Sequence, residues 1–322
     1  MEAKEETLAA KNEVESHFVL GLTEADYRPF EAALGGVPQS VARHFSFFRD
    51  AVEAVVETTS TPFTISFDAA QRAAEKHHLL LDAIHSLKDE RATPLTPGEA
   101  EKAAAARLDR VRSLLREKYS ADEGRYEIFR EAARPLIFGH RSGTLVKLAR
   151  ELLAQGAVGL WGCFESLAKD VARSVVNESP SLARAVLDDP VASKHFEFPR
   201  MSYDDLAKSS FDFSGKVGDV LFGSRDFSDL RRLKAALHAL FPDRPELREA
   251  LGRPELWRLC QDRHLIVHRR GLIDEQYLIN TGQELAVGDL LVLTPREFLD
   301  RARLVLAAGA ALAQASTGRA AS

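Results

Sequence analysis

The 322-residue chain has only two cysteines, Cys163 and Cys260. No disulfide framework can be built from them, and both fall in apolar-periodic stretches where cysteine behaves as a small buried hydrophobe. A reducing compartment is the simpler setting. Long hydrophobic runs are missing too: nothing approaches the roughly 20 apolar residues of a membrane span. The opening MEAKEETLAAKNEVE is acidic and polar where a secretory leader needs an apolar stretch. No membrane contact is expected, and the expected location is the cytoplasm. Excess positive charge is also absent. The formal net charge is −5, which argues against a surface coated for non-specific nucleic-acid binding, because phosphate affinity accumulates with Lys and Arg. Glycine-rich phosphate loops, Gly-x-Ser-x-Gly elbows and internal repeats do not occur, and neither cysteine has a partner at metal-ligand spacing.

What is present favours helices. Hydrophobic residues make up 45% and charged residues 28%, close to soluble globular averages, and the Ala, Leu, Glu and Arg content suits a mainly all-α fold. The length allows two domains, or one with a helical extension. SVARHFSFFRDAVEAVVETT has apolar residues three and four apart, predicting a helix of about 18 residues. Thr61 to Phe67, TPFTISF, alternates as a strand does and reads as a strand or an extended linker. The break Phe138-Gly139-His140-Arg141-Ser142-Gly143 precedes a helical run from Thr144 to about Asn177. It divides an N-terminal helical region, 1–140, from a domain over 141–316, with a small-residue tail at 317–322 expected to be disordered. Residues 271–293 mix β-branched residues with glycines, as a short hairpin or an ordered loop does. Thr294-Pro295-Arg296-Glu297 has the form of a capping box opening a last helix to about Gln314.

Charge concentrates locally. Between Arg253 and Arg270 stand Arg253, Arg258, Arg263, Arg269 and Arg270 against Glu255 and Asp262. Such a run is either a solvated helix face or a patch for RNA, in which Arg258, Arg269 and Arg270 are the candidate contacts. Within it lies Arg263-His264-Leu265-Ile266-Val267-His268. RNA cleavage by its own 2′-hydroxyl needs a base, an acid for the departing 5′-oxygen and a cation on the phosphorane. Histidine titrates near neutrality and arginine stays charged, so these side chains supply every part without a metal or other cofactor. On one helix, however, Arg263 and His268 lie about 140° apart around the axis, and His264 and His268 about 40°. Both ends of the motif reach one point only if the helix stops there, if the side chains swing to a groove, or if a second copy completes the site.

Two metal readings are weaker. His264 and His268 are spaced as an i,i+4 ligand pair, but a His-Glu-x-x-His hydrolase needs Glu where Leu265 stands. His78, Asp82 and His85 share a helix face at ligand-like spacing, as an ordinary mixed polar face also does.

The segment DRHLIVHRRGLIDEQYL resembles the signature of the HEPN superfamily (higher eukaryotes and prokaryotes nucleotide-binding): Arg263, a polar residue here filled by His264, the apolar triplet Leu265-Ile266-Val267, and His268. Gly271-Leu272-Ile273-Asp274, Tyr277-Leu278 and Gly288-Asp289 look like the larger HEPN domains of bacterial defence proteins. The resemblance spans roughly residues 145–315. A second family feature, an acid paired with a base on an earlier helix, is offered by Glu165 and Lys169, with Asp170 a weaker candidate. That pair either supports the Arg–His site or is an ordinary surface ion pair.

The resemblance implies an up-and-down helical bundle that dimerises, so that two motifs face each other in a positively charged cleft. It further implies a metal-independent endoribonuclease leaving a 2′,3′-cyclic phosphate, with His268 as general base or acid, Arg263 on the phosphorane and His264 assisting. The expected role is that of a toxin or abortive-infection effector in anti-phage defence, with an antitoxin or inhibitor as partner. Some members of the family only bind nucleotide or protein, which is the alternative.

Overall fold

A computed structural model describes residues 2–87, 96–208, 210 and 212–317. The fold is all-α. In chain order the helices are α1 (Glu2–Glu15), α2 (Glu24–Ala33), α3 (Gln39–Leu87), α4 (Pro97–Ser120), α5 (Asp122–Arg141), α6 (Val146–Glu178) and α7 (Leu182–Asp188). A 3-10 turn, Ala192–Lys194, leads to α8 (Tyr203–Lys208), α9 (Val217–Phe222), α10 (Leu230–Leu240), α11 (Pro245–Gly252), α12 (Pro254–Arg269), α13 (Glu275–Thr281) and α14 (Pro295–Ser316). Among the described residues the sole β-pairing is one antiparallel bridge, Leu272 to Leu290. Residues 271–293 therefore form an ordered loop that encloses α13, and not a hairpin.

The segment 61–67, read as a strand or linker, lies inside the 49-residue helix α3. Phe63 and Phe67 stand four apart with ring centroids 5.9 Å from each other, and Phe63 packs on Phe129 at 5.5 Å. Ile65, the middle apolar residue of the alternation, is exposed. The ring contacts thus follow helical spacing, and the period of two is accidental. Pro62 removes one helical donor, but hydroxyls bond back along this stretch: Thr59 Oγ1 donates to Val55 O at 2.8 Å and Thr64 Oγ1 to Ser60 O at 3.3 Å.

By contact the chain forms two compact units, one of residues 1–20 and 60–149, the other of residues 21–59 and 150–322. A single cut at 140/141 thus assigns residues 21–59 and 141–149 differently from their contacts. The first unit centres on Val14, Phe18, Ala133, Leu136 and Ala149. Its α1 is clamped to α5 by the Arg141 guanidinium, which donates to both carboxylate oxygens of Glu13 at 2.7 and 2.8 Å.

In the second unit the largest buried side chains include Phe30, Phe45, Trp161, Phe164, Phe222 and Phe298. Phe30 and Phe48, whose rings lie 5.4 Å apart, come from the 21–59 segment and meet α14 at Gly309. A Cβ placed at Gly309 would lie 2.5 Å from the Phe48 ring and 3.2 Å from Phe30. The absence of a side chain is what lets α14 come so near. The capping box opening α14 is formed: Thr294 Oγ1 accepts from Glu297 N at 3.2 Å, and the Glu297 carboxylate accepts from Thr294 N at 2.9 Å. Of the terminal segment expected to be disordered, Thr317 is placed and residues 318–322 lie outside the described residues.

Overpacking of a close helix contact costs about 1–3 kcal/mol. Gly309→Ala is expected to destabilise the protein within that range. Urea unfolding followed by tryptophan fluorescence measures it.

Candidate functional site

Helix α12 begins at Pro254 in the N1 position and buries Leu256, Leu259, Leu265 and Ile266. Asp262 lies on that same buried face, three residues from both Leu259 and Leu265, and is fully inaccessible. Its carboxylate meets the buried Arg301 guanidinium of α14 at 2.6 Å and accepts a 2.5 Å hydrogen bond from the Tyr277 hydroxyl of α13. Burial pushes the Asp262 carboxyl up from its usual range, while Arg301 and Tyr277 pull against that shift. The Tyr277 phenol is pushed up in turn, by burial and by the adjoining carboxylate. Three helices are thereby pinned at one point, and the next residue after the pin is Arg263.

Arg263, His264 and His268 all line one solvent-open pocket of about 400 Å³, together with Asp226, Arg231, Gln261 and Asn280 among others. The two imidazoles are exposed, with ring centroids 4.6 Å apart and planes inclined at 49°. The pocket follows the helix face centred on His264, so Arg263 reaches it from about 100° to one side. Just beyond the motif the helix stops: Arg270 is left-handed at φ 53°, and Gly271 N closes on Leu265 O at 3.1 Å. Arg263, His264 and His268 thus share the wall of one groove at a helix end within a single chain.

Among the described residues Arg263 makes no ion pair within 4 Å, yet two carboxylates act on it. Glu165 is pushed up from its ordinary value by burial and by Asp226, with Arg263 the main opposing influence. Asp226 behaves differently. Burial works to raise it, but Ser228 donates to it from its amide and its hydroxyl, each at 2.8 Å, and with Arg232 and Arg263 holds it below the usual carboxylate range. Cys260, also in the pocket wall, has its thiol pushed up to about 11 by burial, so it is no ready nucleophile.

Glu165 and Lys169 do not form a direct ion pair among the described residues. The Lys169 ammonium instead donates to the backbone carbonyls of Gly223 and Arg225, at 3.1 and 3.0 Å. It thereby holds the loop that delivers Asp226. Asp170 pairs with Arg173 at 3.0 Å and does not line the pocket.

The basic run divides. Arg258 does not line the pocket; it lies 4.0 Å from Glu297 beside the Asp262 anchor. Arg269 lies 3.8 Å from Asp274, the N-cap of α13, while Arg270 is exposed beside His268. Arg231 and Arg232 of α10 line the pocket instead. Sequence reading missed them because they lie more than 30 residues upstream, where fold alone brings them in. Against Arg231, Arg232 and Arg263 stand Asp226, Asp229 and Asp274, so charges of the two signs balance around the opening.

Elsewhere, Asp82 of the His78, Asp82 and His85 face is held by Arg107 at 2.9 Å. Among the described residues no three His, Cys, Asp or Glu side chains converge as a metal would need, and no helix is long and apolar enough to cross a membrane. The chain matches no protein family, no curated protein and no solved structure.

Removing one partner of a buried ion pair costs about 3–5 kcal/mol. Asp262→Ala or Arg301→Ala is expected to lower unfolding stability by that amount, read from denaturant midpoints. Glu165 gives a pH-dependent expectation. A carboxyl raised by the fold holds its proton more tightly when folded, so its ionisation opposes folding once pH exceeds the folded value. Glu165→Gln should therefore be more stable than wild type at pH 7, with the difference vanishing below the unfolded value of about 4.3. Unfolding curves at pH 7 and pH 4 check the sign.

Proposed function

We propose that the chain is a metal-independent endoribonuclease acting through Arg263, His264 and His268, as their likeness to the HEPN signature implies. One observation carries this reading: an arginine that has no ion pair among the described residues and two exposed imidazoles share the wall of one solvent-open pocket. In the reaction His268 or His264 takes the proton of the 2′-hydroxyl, and the 2′-oxygen attacks the adjacent phosphorus. Arg263 stabilises the charge that develops on the non-bridging oxygens. The P–O5′ bond breaks, the 5′-oxygen takes a proton from the second imidazole, and a 2′,3′-cyclic phosphate remains. DNA lacks the attacking hydroxyl, so the chemistry selects RNA. Glu165 and Asp226 act electrostatically on the guanidinium, and Lys169 fixes the loop bearing Asp226.

The charge balance around the pocket supports a composite site in which a second copy adds cations. Val267, Leu272, Leu290 and Val292 are exposed close to the motif, and Leu291 N donates to Gly271 O at 2.8 Å, bringing the 290–292 segment beside the helix end. This apolar rim suits a homodimer seam. The reading places the protein in the cytoplasm as a toxin or abortive-infection effector against phage, held in check by an antitoxin or inhibitor. The same balance of charge also favours a second reading, a non-catalytic module that binds nucleotide or protein at this pocket.

The purified protein is expected to cleave single-stranded RNA in EDTA. Arg263→Ala and His268→Ala should each lower the rate by about 10²-fold or more without altering the circular-dichroism spectrum. Nucleotide binding with no turnover of any RNA would select the second reading.

A further inference from the structure

A second groove, of about 740 Å³, adjoins the pocket and shares Arg231 with it. Helix α10 forms one side. Its side chains Lys234 and His238 line the groove together with Arg248 of α11, His195 and the small side chains of Ala185, Ala235 and Ala239. Charges in the groove are unevenly committed. Asp188 is paired with Arg184 at 3.0 Å, and the Asp189 Oδ1 accepts from the amides of Val191 and Ala192 at 2.9 and 2.8 Å. Among the described residues Lys234 has no carboxylate partner, and Arg248 reaches only the Pro242 carbonyl, at 3.0 Å.

His238 reports the resulting potential. Its Nε2 is buried without a hydrogen-bond partner, and the imidazole is pushed down by burial and then by the Arg248 and Lys234 cations, against a weaker pull from Asp189. A half-buried ammonium, pushed down by desolvation, an orphaned ring nitrogen and a guanidinium around small apolar side chains make a site for an anion attached to a flat apolar body. Arg231 joins the two cavities. It is held over the Trp257 ring at 5.1 Å, and the Trp257 indole N–H is fixed by Asn280 O at 2.7 Å. The link between the cavities is therefore a braced side chain.

We propose that this groove binds the nucleotide flanking the scissile linkage of a single RNA strand, with its phosphate on Lys234 and Arg248, its base against the alanine side chains, and Arg231 on the phosphate between the two cavities. The proposal rests on the endoribonuclease reading of the Arg263–His268 pocket. Single-stranded sites combine a cationic track with an apolar or aromatic surface for the base, and α10 supplies both.

The test uses 2′-O-methyl oligonucleotides of two, four and eight residues, which cannot be cleaved, with binding read by fluorescence anisotropy. For the wild type, affinity should rise with length. In Lys234→Ala/Arg248→Ala the gain from two to eight residues should fall by about tenfold, and the salt slope of binding should drop by about 1.4, the contribution of two single-strand phosphate contacts. Lys234→Gln/Arg248→Lys, which restores one charge, should recover part of both. An unchanged length gain and salt slope in folded double variant overturns the groove assignment, as does equal weakening at every length.

A separate cleavage assay on unmodified RNA isolates the nuclease reading. Cleavage together with an unchanged length gain removes the groove alone. Absence of cleavage, with the length gain still lost in the variant, removes the nuclease reading and leaves an RNA-binding groove. No affinity of the wild type for any of the oligonucleotides overturns the proposal.

Discussion

The buried contact of Asp262 with Arg301, closed by the Tyr277 hydroxyl, governs where everything else near the motif can lie. An aspartate with no solvent access cannot drift, because losing its guanidinium would leave an uncompensated charge in the core. The helix is therefore fixed in rotation about its own axis as well as in position. Once Asp262 points inward to α14, His264 must point outward on the far side, and Arg263 and His268 must stand on opposite flanks. The exposed face is a geometric result of the buried one.

The pocket is built by elements that do not neighbour one another in sequence. Loop 223–226 is held by the Lys169 ammonium of α6, α10 begins where Asp229 caps it through Arg231 N, and α13 begins where Asp274 caps it through Tyr277 N. Asp229 and Asp274 also line the opening. Two of the acids that balance its arginines are thus committed to starting helices, and the balance follows partly from the architecture. A single chain offers an anion local directed donors more than a strong overall field.

Legibility in the sequence followed the range of the interactions. The helix from Thr144, the Thr294 capping box and the clustering of Arg263, His264 and His268 are written in neighbours within a few positions, and all three recur in the structure. Residues 61–67 misled because a run of seven cannot separate a period of two from half a period of 3.6, and only Phe129, far along the chain, decides between them. Asp262 was countable as one more acid against a basic run. Its three-residue spacing from Leu259 and Leu265 was the sign that it faces inward, but the partner Arg301 lies 39 positions away on a helix otherwise rich in Leu and Ala. Lys169 was singled out as a partner for Glu165, yet its acceptors are two backbone carbonyls, which leave no trace in side-chain pattern.

The seating of Phe30 and Phe48 against Gly309 bears on how this polypeptide can be dissected. Because residues 21–59 furnish part of the hydrophobic interior shared with α14, a fragment starting near residue 141 would present the bare floor of a socket to water. Neither half of such a linear division would keep its interior, so an autonomous piece must be assembled from two stretches of chain, and limited digestion at an exposed site need not release one.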